Sequence, residues 1–157
     1  MLANIHVKNM ALIKEADISL GKGLNILSGE TGAGKSILLG SIAVALGLQN
    51  FKGFAREDAD YALSELVFVI ENEEQRQALL ELEIPVEDGE VIISRRLSKG
   101  RTTSKINGET VPVSMVSMRI SLFYIFANIW NCSMILQEKS WLWQKKNIKP
   151  AIRNTAN

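Results

Sequence analysis

An eight-residue stretch, GETGAGKS at 29–36, constrains this 157-residue chain more than any other feature. It fits the pattern G-x-x-x-x-G-K-[ST] without a mismatch. It follows a short apolar run, LNILS at 24–28, and opens the segment from Lys35 to Leu48, where small and apolar residues lie nearly all round a helix. A buried strand, a glycine-rich turn and a buried helix in that order predict an α/β fold built around a phosphate-binding loop.

The residue types of this loop suit the binding of a nucleoside triphosphate. Glycines let backbone N–H groups turn inward and form an anion-binding nest at a helix N-terminus. Lys35 is expected to reach the β- and γ-phosphates, and the Ser36 hydroxyl to ligate Mg²⁺. The alternative is a glycine-rich turn that caps a helix without any ligand. The residues assigned to nucleotide binding are Gly29, Glu30, Thr31, Gly32, Ala33, Gly34, Lys35 and Ser36.

Alternation of apolar and polar residues predicts several strands around this central helix. A polar-faced second helix is expected from Asn72, and a KGR turn joins the last two strands as a hairpin. The predicted strands are 2–8, 16–20, 24–28, 62–71, 90–98 and 102–108. The fold class is therefore α/β with a substantial antiparallel portion.

The composition changes abruptly near residues 114–117. Residues 1–116 hold 12 Lys and Arg against 16 Asp and Glu, a net charge of −4, whereas residues 117–157 hold 6 against 1, a net charge of +5. All three tryptophans and the single cysteine, Cys132, lie in the later part, and all eleven glycines lie at or before Gly108. We expect a first domain at 1–114 and a different tail at 115–157. One cysteine forms no internal disulfide, so the first part is expected to be cytosolic.

Two segments carry a resemblance to a known family. Residues 5–47, from IHVKNMALIKEADISL to the end of the predicted helix, resemble the opening of SMC-like, ABC-type ATPase heads. SRRLSKGRTTSKINGETVPVS at 94–114 resembles a hairpin of the same heads. Together the segments cover most of residues 2–114 and are most similar to the RecN family of bacterial DNA double-strand-break repair proteins.

The resemblance implies a P-loop NTPase fold, of which this chain holds an incomplete N-terminal lobe with ATP and Mg²⁺ as cofactors. Complete family members add a coiled coil and a second lobe with the signature motif and the Walker B acids. Two such heads sandwich ATP as a homodimer and act on DNA in the cytoplasm, at the nucleoid. Because the Q-loop, signature motif and Walker B carboxylates are not recognisable here, we expect neither head-to-head dimerisation nor appreciable ATP hydrolysis by residues 1–157 alone.

Two further sets of residues are candidates by position. Arg56 resembles a family arginine near the nucleotide, although it stands beside EDAD at 57–60 and an ordinary solvated arginine is the alternative. The basic cluster of Arg95, Arg96 and Arg101, with Lys99 and Lys105, could contact DNA phosphates. Its alternative is a polar hairpin whose cations protect an edge strand.

The tail allows two interpretations. Residues 120–136 form a seventeen-residue run without charge, which reaches the lower limit for a membrane-spanning helix. In the other interpretation the tail is the family sequence in a shifted reading frame. The visible codons from Ser114 onward permit H-G-Q-H-E-N-Q-S, which resembles the family's Q-loop stretch, and Trp130 followed by Asn131 forces glutamate. We favour the frameshift and expect no membrane anchor.

A small enzyme of another phosphate-loop class, such as a kinase or GTPase, is a further alternative. The chain contains no guanine-reading N-K-x-D motif and no arginine-rich lid. The three hypotheses are thus a RecN-type fragment, a membrane-anchored nucleotide-binding module and a small independent enzyme.

Overall fold

The computed structural model describes residues 1–26, 32–51, 53–117 and 132–134. These ranges contain eight strands, two helices and a further helical segment at 113–117. The elements are β1 (Leu2–Met10), β2 (Ile13–Ser19), β3 (Gly23–Asn25), α1 (Gly32–Ala45), β4 (Tyr61–Val69), α2 (Glu73–Glu81), β5 (Glu90–Ser98), β6 (Arg101–Ile106), β7 (Glu109–Val111) and β8 (Cys132–Met134).

The main sheet has six antiparallel strands in the order β2-β1-β4-β5-β6-β7. The predicted KGR hairpin is confirmed, with Ser98 opposite Arg101 and a two-residue turn at Lys99 and Gly100. Both turn residues have positive φ, 50° and 75°. That is the type I′ conformation, whose twist matches the strands that it joins.

Alternation along the strands sends one set of side chains toward α1 and the other set to the opposite face. In β4 every second residue is buried, from Ala62 to Phe68. In β5 the buried set is Val91, Ile93 and Arg95. The helix α1 packs on this buried face over β1, β4 and β5, so the core lies between α1 and the sheet. We call the opposite face of the sheet the outer face.

The strand before the phosphate loop differs from the prediction. A buried strand was expected at 24–28, but β3 covers Gly23–Asn25, and the side chains of Leu24 and Ile26 are 56% and 71% exposed. Its only partner among the described residues is the parallel strand β8, and α1 packs on the six-stranded sheet instead. The apolar run therefore signalled the strand correctly but not its burial.

The helix α1 ends in a regular C-terminal cap. Gly47 has a φ of 75°, and its N–H donates to the carbonyl oxygen of Val44 at 3.0 Å. The N–H of Leu48 donates to the carbonyl oxygen of Ala43 at 2.9 Å. These two bonds form a Schellman motif, which needs a left-handed residue at the position of Gly47. The last turn of α1 contains no basic residue to complement its partial negative charge.

Arg95 of β5 supplies that positive charge from the sheet. Its terminal nitrogen Nη1 donates to the carbonyl oxygens of Val44 at 2.7 Å and Gln49 at 2.8 Å. The guanidinium carbon also lies 5.9 Å from the ring centroid of Phe51. The residue is 5% exposed, and burial lowers the pKa of its guanidinium from the usual value. Arg95 thus fastens the end of α1 and the following loop to the sheet.

A second contact joins the middle of α1 to the sheet. The buried hydroxyl of Ser64 on β4 donates to the carbonyl oxygen of Ser41 at 2.7 Å. Close by, Gly40 leaves room for the ring of Phe54, because a Cβ at this position would lie 2.1 Å from the ring atom Cε1. The helix is therefore held at its centre and at its C-terminal end.

Replacement of Arg95 should destabilise the fold far more than replacement of its neighbour. In Arg95→Met two carbonyl oxygens are left without a charged donor, which should lower the free energy of unfolding by about 2 kcal/mol or more. Arg96→Met removes a cation from the outer face, and it should lower the free energy of unfolding by less than about 1 kcal/mol. Urea unfolding of both variants measures the difference, and equal losses of stability would contradict the role given to Arg95.

Candidate phosphate-loop site and the β5–β6 hairpin

The phosphate loop leads directly into α1. Gly29, Glu30 and Thr31 lie outside the described residues, and the helix begins at Gly32. Of the predicted site residues, Gly32, Ala33, Gly34, Lys35 and Ser36 form the first turn or the residues just after it. The predicted helix is therefore present, and it starts three residues earlier than Lys35.

The described end of this site is open to solvent. Gly34 and Ser36 are exposed, and Lys35 is partly exposed. A Cβ at Gly34 would meet no atom within 4 Å. The first turn of α1 contains no acidic residue that would compete with an anion for its N–H groups. Solvent can therefore reach the described residues of the motif from Gly34 to Ser36.

Among the described residues, no cluster of three or more His, Cys, Asp or Glu side chains could hold a metal ion. Mg²⁺ in nucleotide sites is usually held by one or two protein oxygens together with phosphate oxygens and water. The exposed hydroxyl of Ser36 suits such a shared site, in which the nucleotide supplies part of the coordination.

Arg56 lies on the loop between α1 and β4, at a distance in sequence from the phosphate loop. Its Nε donates to Oδ1 of Asp58 at 2.9 Å, and its Nη2 donates to Oδ2 at 2.6 Å. This hydrogen-bonded pair lowers the pKa of the Asp58 carboxyl. The side chain is 25% exposed. Arg56 lines a cleft with Arg96 and Lys99, and no described phosphate-loop residue lines that cleft.

The three arginines proposed for DNA occupy different environments. The guanidinium of Arg95 is buried against α1, so Arg95 is not placed to contact a DNA phosphate. Arg96 and Arg101 are exposed on the β5–β6 hairpin. This difference could have been predicted from the sequence. Arg95 lies two and four residues after the apolar Ile93 and Val91, so its side chain faces the same side of the strand as theirs.

Sequence reasoning missed Tyr61, the first residue of β4. The guanidinium carbon of Arg96 lies 4.1 Å from the centroid of the Tyr61 ring. In the strand register Tyr61 is opposite Ser98 and Leu63 is opposite Arg96. The pair is therefore diagonal across two strands, a relation that the register reveals and the linear sequence does not.

The tail touches the described structure at two points. The side chain of Val116 is fully buried in the core, so the packed lobe continues slightly beyond residue 114. Cys132–Met134 pair with β3 in parallel, with Gly23 opposite Cys132. This strand lies inside the apolar run at 120–136, most of which falls outside the described residues. In the described part of the chain no helix is long and apolar enough to cross a membrane.

Comparisons with known proteins agree with the resemblance seen in the sequence. A family model described as an AAA domain matches residues 4–155. The DNA repair protein RecN of Halalkalibacterium halodurans is 33% identical over 118 residues, 74% of this chain and 21% of that protein. RecN of Rickettsia conorii is 32% identical over 136 residues, 86% of this chain and 25% of that protein. The chain thus spans about a quarter or less of these relatives.

Solved structures resemble this fold as well. A chain from work on the ATP-driven dimerization and DNA-stimulated activation of SMC ATPases matches with a TM-score of 0.64 and 20% identity. The match covers 95% of this chain and 92% of that one. The predicted fold, a partial P-loop NTPase lobe with an antiparallel sheet, is confirmed. The chain belongs to the AAA domain family, and most of it is similar to a segment of the RecN repair proteins.

Proposed function

We propose that this chain is the ATP-binding N-terminal lobe of a RecN-type ATPase in DNA repair and recombination. The observation that carries the proposal is the complete loop motif at 29–36 leading into the exposed first turn of α1. The RecN relatives, which carry the name DNA repair protein, support the choice of pathway. The likeness to SMC ATPase structures supports ATP as the nucleotide.

In this proposal each part of the site has one task. Backbone N–H groups from Gly29 to Gly34 hold the phosphates, and the Lys35 ammonium neutralises charge on the β- and γ-phosphates. The Ser36 hydroxyl holds Mg²⁺, which supplies further charge neutralisation when it is bound with the nucleotide. Arg56 remains a proposed nucleotide contact, although reaching a phosphate requires its pair with Asp58 to open.

We expect binding without appreciable hydrolysis. Phosphoryl transfer depends on the positioning of metal and water as well as on the phosphate cradle. The sequence offers no recognisable Q-loop, signature motif or Walker B carboxylate for that work. In the complete protein the Walker B carboxylates would come from the second lobe and the signature motif from a facing head, whereas the Q-loop would follow residue 114 in the first lobe. We propose that the complete protein dimerises and acts on DNA in the cytoplasm.

Replacement of Lys35 tests nucleotide binding directly. The purified chain should bind a fluorescent ATP analogue with Mg²⁺, and Lys35→Ala should weaken binding about 10-fold or more because the ammonium group no longer donates charge-assisted hydrogen bonds to the phosphates. Lys8→Ala, which removes an ammonium group paired with Glu15 on the outer face, is the matched control and should bind as the parent does. Equal binding by parent and Lys35→Ala would contradict the site.

A phosphate-release assay on the same samples tests the second half of the proposal. Release by the purified chain should be no faster than release by Lys35→Ala. Turnover that depends on Lys35 would show that residues 1–157 are a complete enzyme.

We further propose that the tail at 115–157 is the family sequence in a shifted frame. The coding DNA from Ile106 to Asn157 should then contain, one reading frame away, an open stretch that reads H-G-Q-H followed by a leucine-rich segment. Sequencing of that DNA is the measurement. Bases that forbid this reading would make the tail a native part of the protein.

A further inference from the structure

The outer face of the sheet divides its charges between two halves. The strands β1, β2 and β4 hold acids and cations that pair with each other. The hairpin from Ser94 to Lys105 contains five cations and no acid. The side chain of Arg95 faces α1. The other four cations lie on the outer face or at the turn, namely Arg96, Lys99, Arg101 and Lys105. A chain whose first 116 residues carry a net charge of −4 thus concentrates positive charge in one hairpin.

Charged side chains on β1 and β2 already pair with each other. Nζ of Lys8 lies 3.2 Å from Oε2 of Glu15, and Nε2 of His6 lies 3.2 Å from Oε1 of the same carboxylate. These hydrogen bonds lower the pKa of Glu15. Within the described ranges, no carboxylate lies within 4.0 Å of the four hairpin cations. Within that part of the chain, an ion pair does not neutralise any of these four cations.

One of these cations is already arranged for stacking. Arg96 lies over the ring of Tyr61, with 4.1 Å between the guanidinium carbon and the ring centroid. Glu15, and to a smaller extent Tyr61, raises the pKa of the nearby Lys8 ammonium group. The aromatic ring and the planar guanidinium form a layered surface. Nucleic-acid bases stack on both kinds of group.

The layer borders a cleft of about 650 Å³ between residues 55–62 and 96–100. Arg56 and Lys99 line it together with Arg96, and Asp60 is the acid among its lining residues. Two hydrogen bonds to Asp58 fix the orientation of the Arg56 guanidinium. A volume of this size is ordinary for a small-molecule or nucleotide site. The cleft thus combines surplus positive charge with a stacking surface.

We infer that this cleft binds single-stranded DNA, with an unpaired base on the Tyr61–Arg96 layer and phosphates beside Lys99 and Arg101. Cations alone would serve a duplex equally well, since phosphate contacts carry no preference for unpaired bases. The aromatic ring within a cleft favours a strand whose bases are free to stack. The inference rests on the proposed DNA-repair function for the choice of DNA as the nucleic acid.

The test compares strand forms with variants of the full 157-residue chain. Fluorescence anisotropy of a labelled oligothymidylate of about 20 nucleotides, several times the smallest single-strand site size, measures binding at low salt. Tyr61→Leu should weaken binding of the oligothymidylate about 10-fold and binding of a duplex of equal length less than about 2-fold. Tyr61→Phe keeps the ring and should bind the oligothymidylate as the parent does.

A second set of variants tests the role of the hairpin cations. Arg96→Gln with Arg101→Gln should weaken binding of both strand forms about 10-fold. For the single strand it should also reduce the slope of the salt dependence by about 0.7 for each phosphate that the variant no longer neutralises. Arg76→Gln removes an exposed arginine on α2 and should change neither affinity. Thermal unfolding of each variant confirms that the fold is retained.

The outcomes separate this inference from the proposed function. If the chain binds ATP but not single-stranded DNA, the inferred DNA site is wrong and the proposed ATP site stands. The same holds if Tyr61→Leu leaves single-strand binding unchanged. DNA binding through the cleft without Lys35-dependent ATP binding supports the cleft and overturns the proposed ATP site. Equal weakening in the Arg76→Gln and Tyr61→Leu variants would also overturn the inference, since the effect would then not be local.

Discussion

The attachment of α1 to the sheet through Arg95 supports the rest of the structure. The helix has no basic residue in its last turn, so its C-terminal carbonyl groups carry partial negative charge without local compensation. The side chain from β5 reaches across the core to Val44 and Gln49 and provides two charged hydrogen bonds. A buried arginine without a carboxylate partner is costly to desolvate. Here the helix terminus takes the place of that carboxylate.

This attachment matters for the site at the other end of the helix. A phosphate loop works when its backbone donors already face the anion, because no free energy is then spent on arranging them. The contacts of Ser41 with Ser64 and of Val44 with Arg95 hold the middle and end of α1 against the sheet. Lys35 and Ser36 in the first turn remain exposed to solvent, Lys35 in part. The helix is therefore rigidly placed where it meets the core and open where it meets solvent.

Much of the fold could be predicted from the sequence, and the exceptions have physical causes. Alternation predicted β1, β4 and the β5–β6 hairpin, since period two decides which side chains are buried. The loop motif predicted the helix α1, because that spacing suits a phosphate loop that leads into a helix, but the helix starts at Gly32 and not at Lys35. Burial of β3 was not predictable from its apolar residues, because burial depends on which strands lie beside it. Alternation along β5 could have predicted that Arg95 and Arg96 face opposite sides of the sheet. The proximity of Tyr61 to Arg96 could not have been predicted, because it depends on the register between β4 and β5.

The C-terminal end of α1 and the proposed DNA cleft each contact one of two neighbouring residues of a single strand. Successive side chains of a strand point to opposite faces, so Arg95 faces α1 and Arg96 faces the cleft. A shift of the C-terminal end of α1 would act on the β5 backbone through Arg95. The same backbone sets the position of the guanidinium over Tyr61. If nucleotide binding moves α1, the hydrogen bonds of Arg95 and the backbone of β5 connect that movement to the outer face. Coupling between the sites would then depend on Arg95, although Arg95 contacts neither ligand.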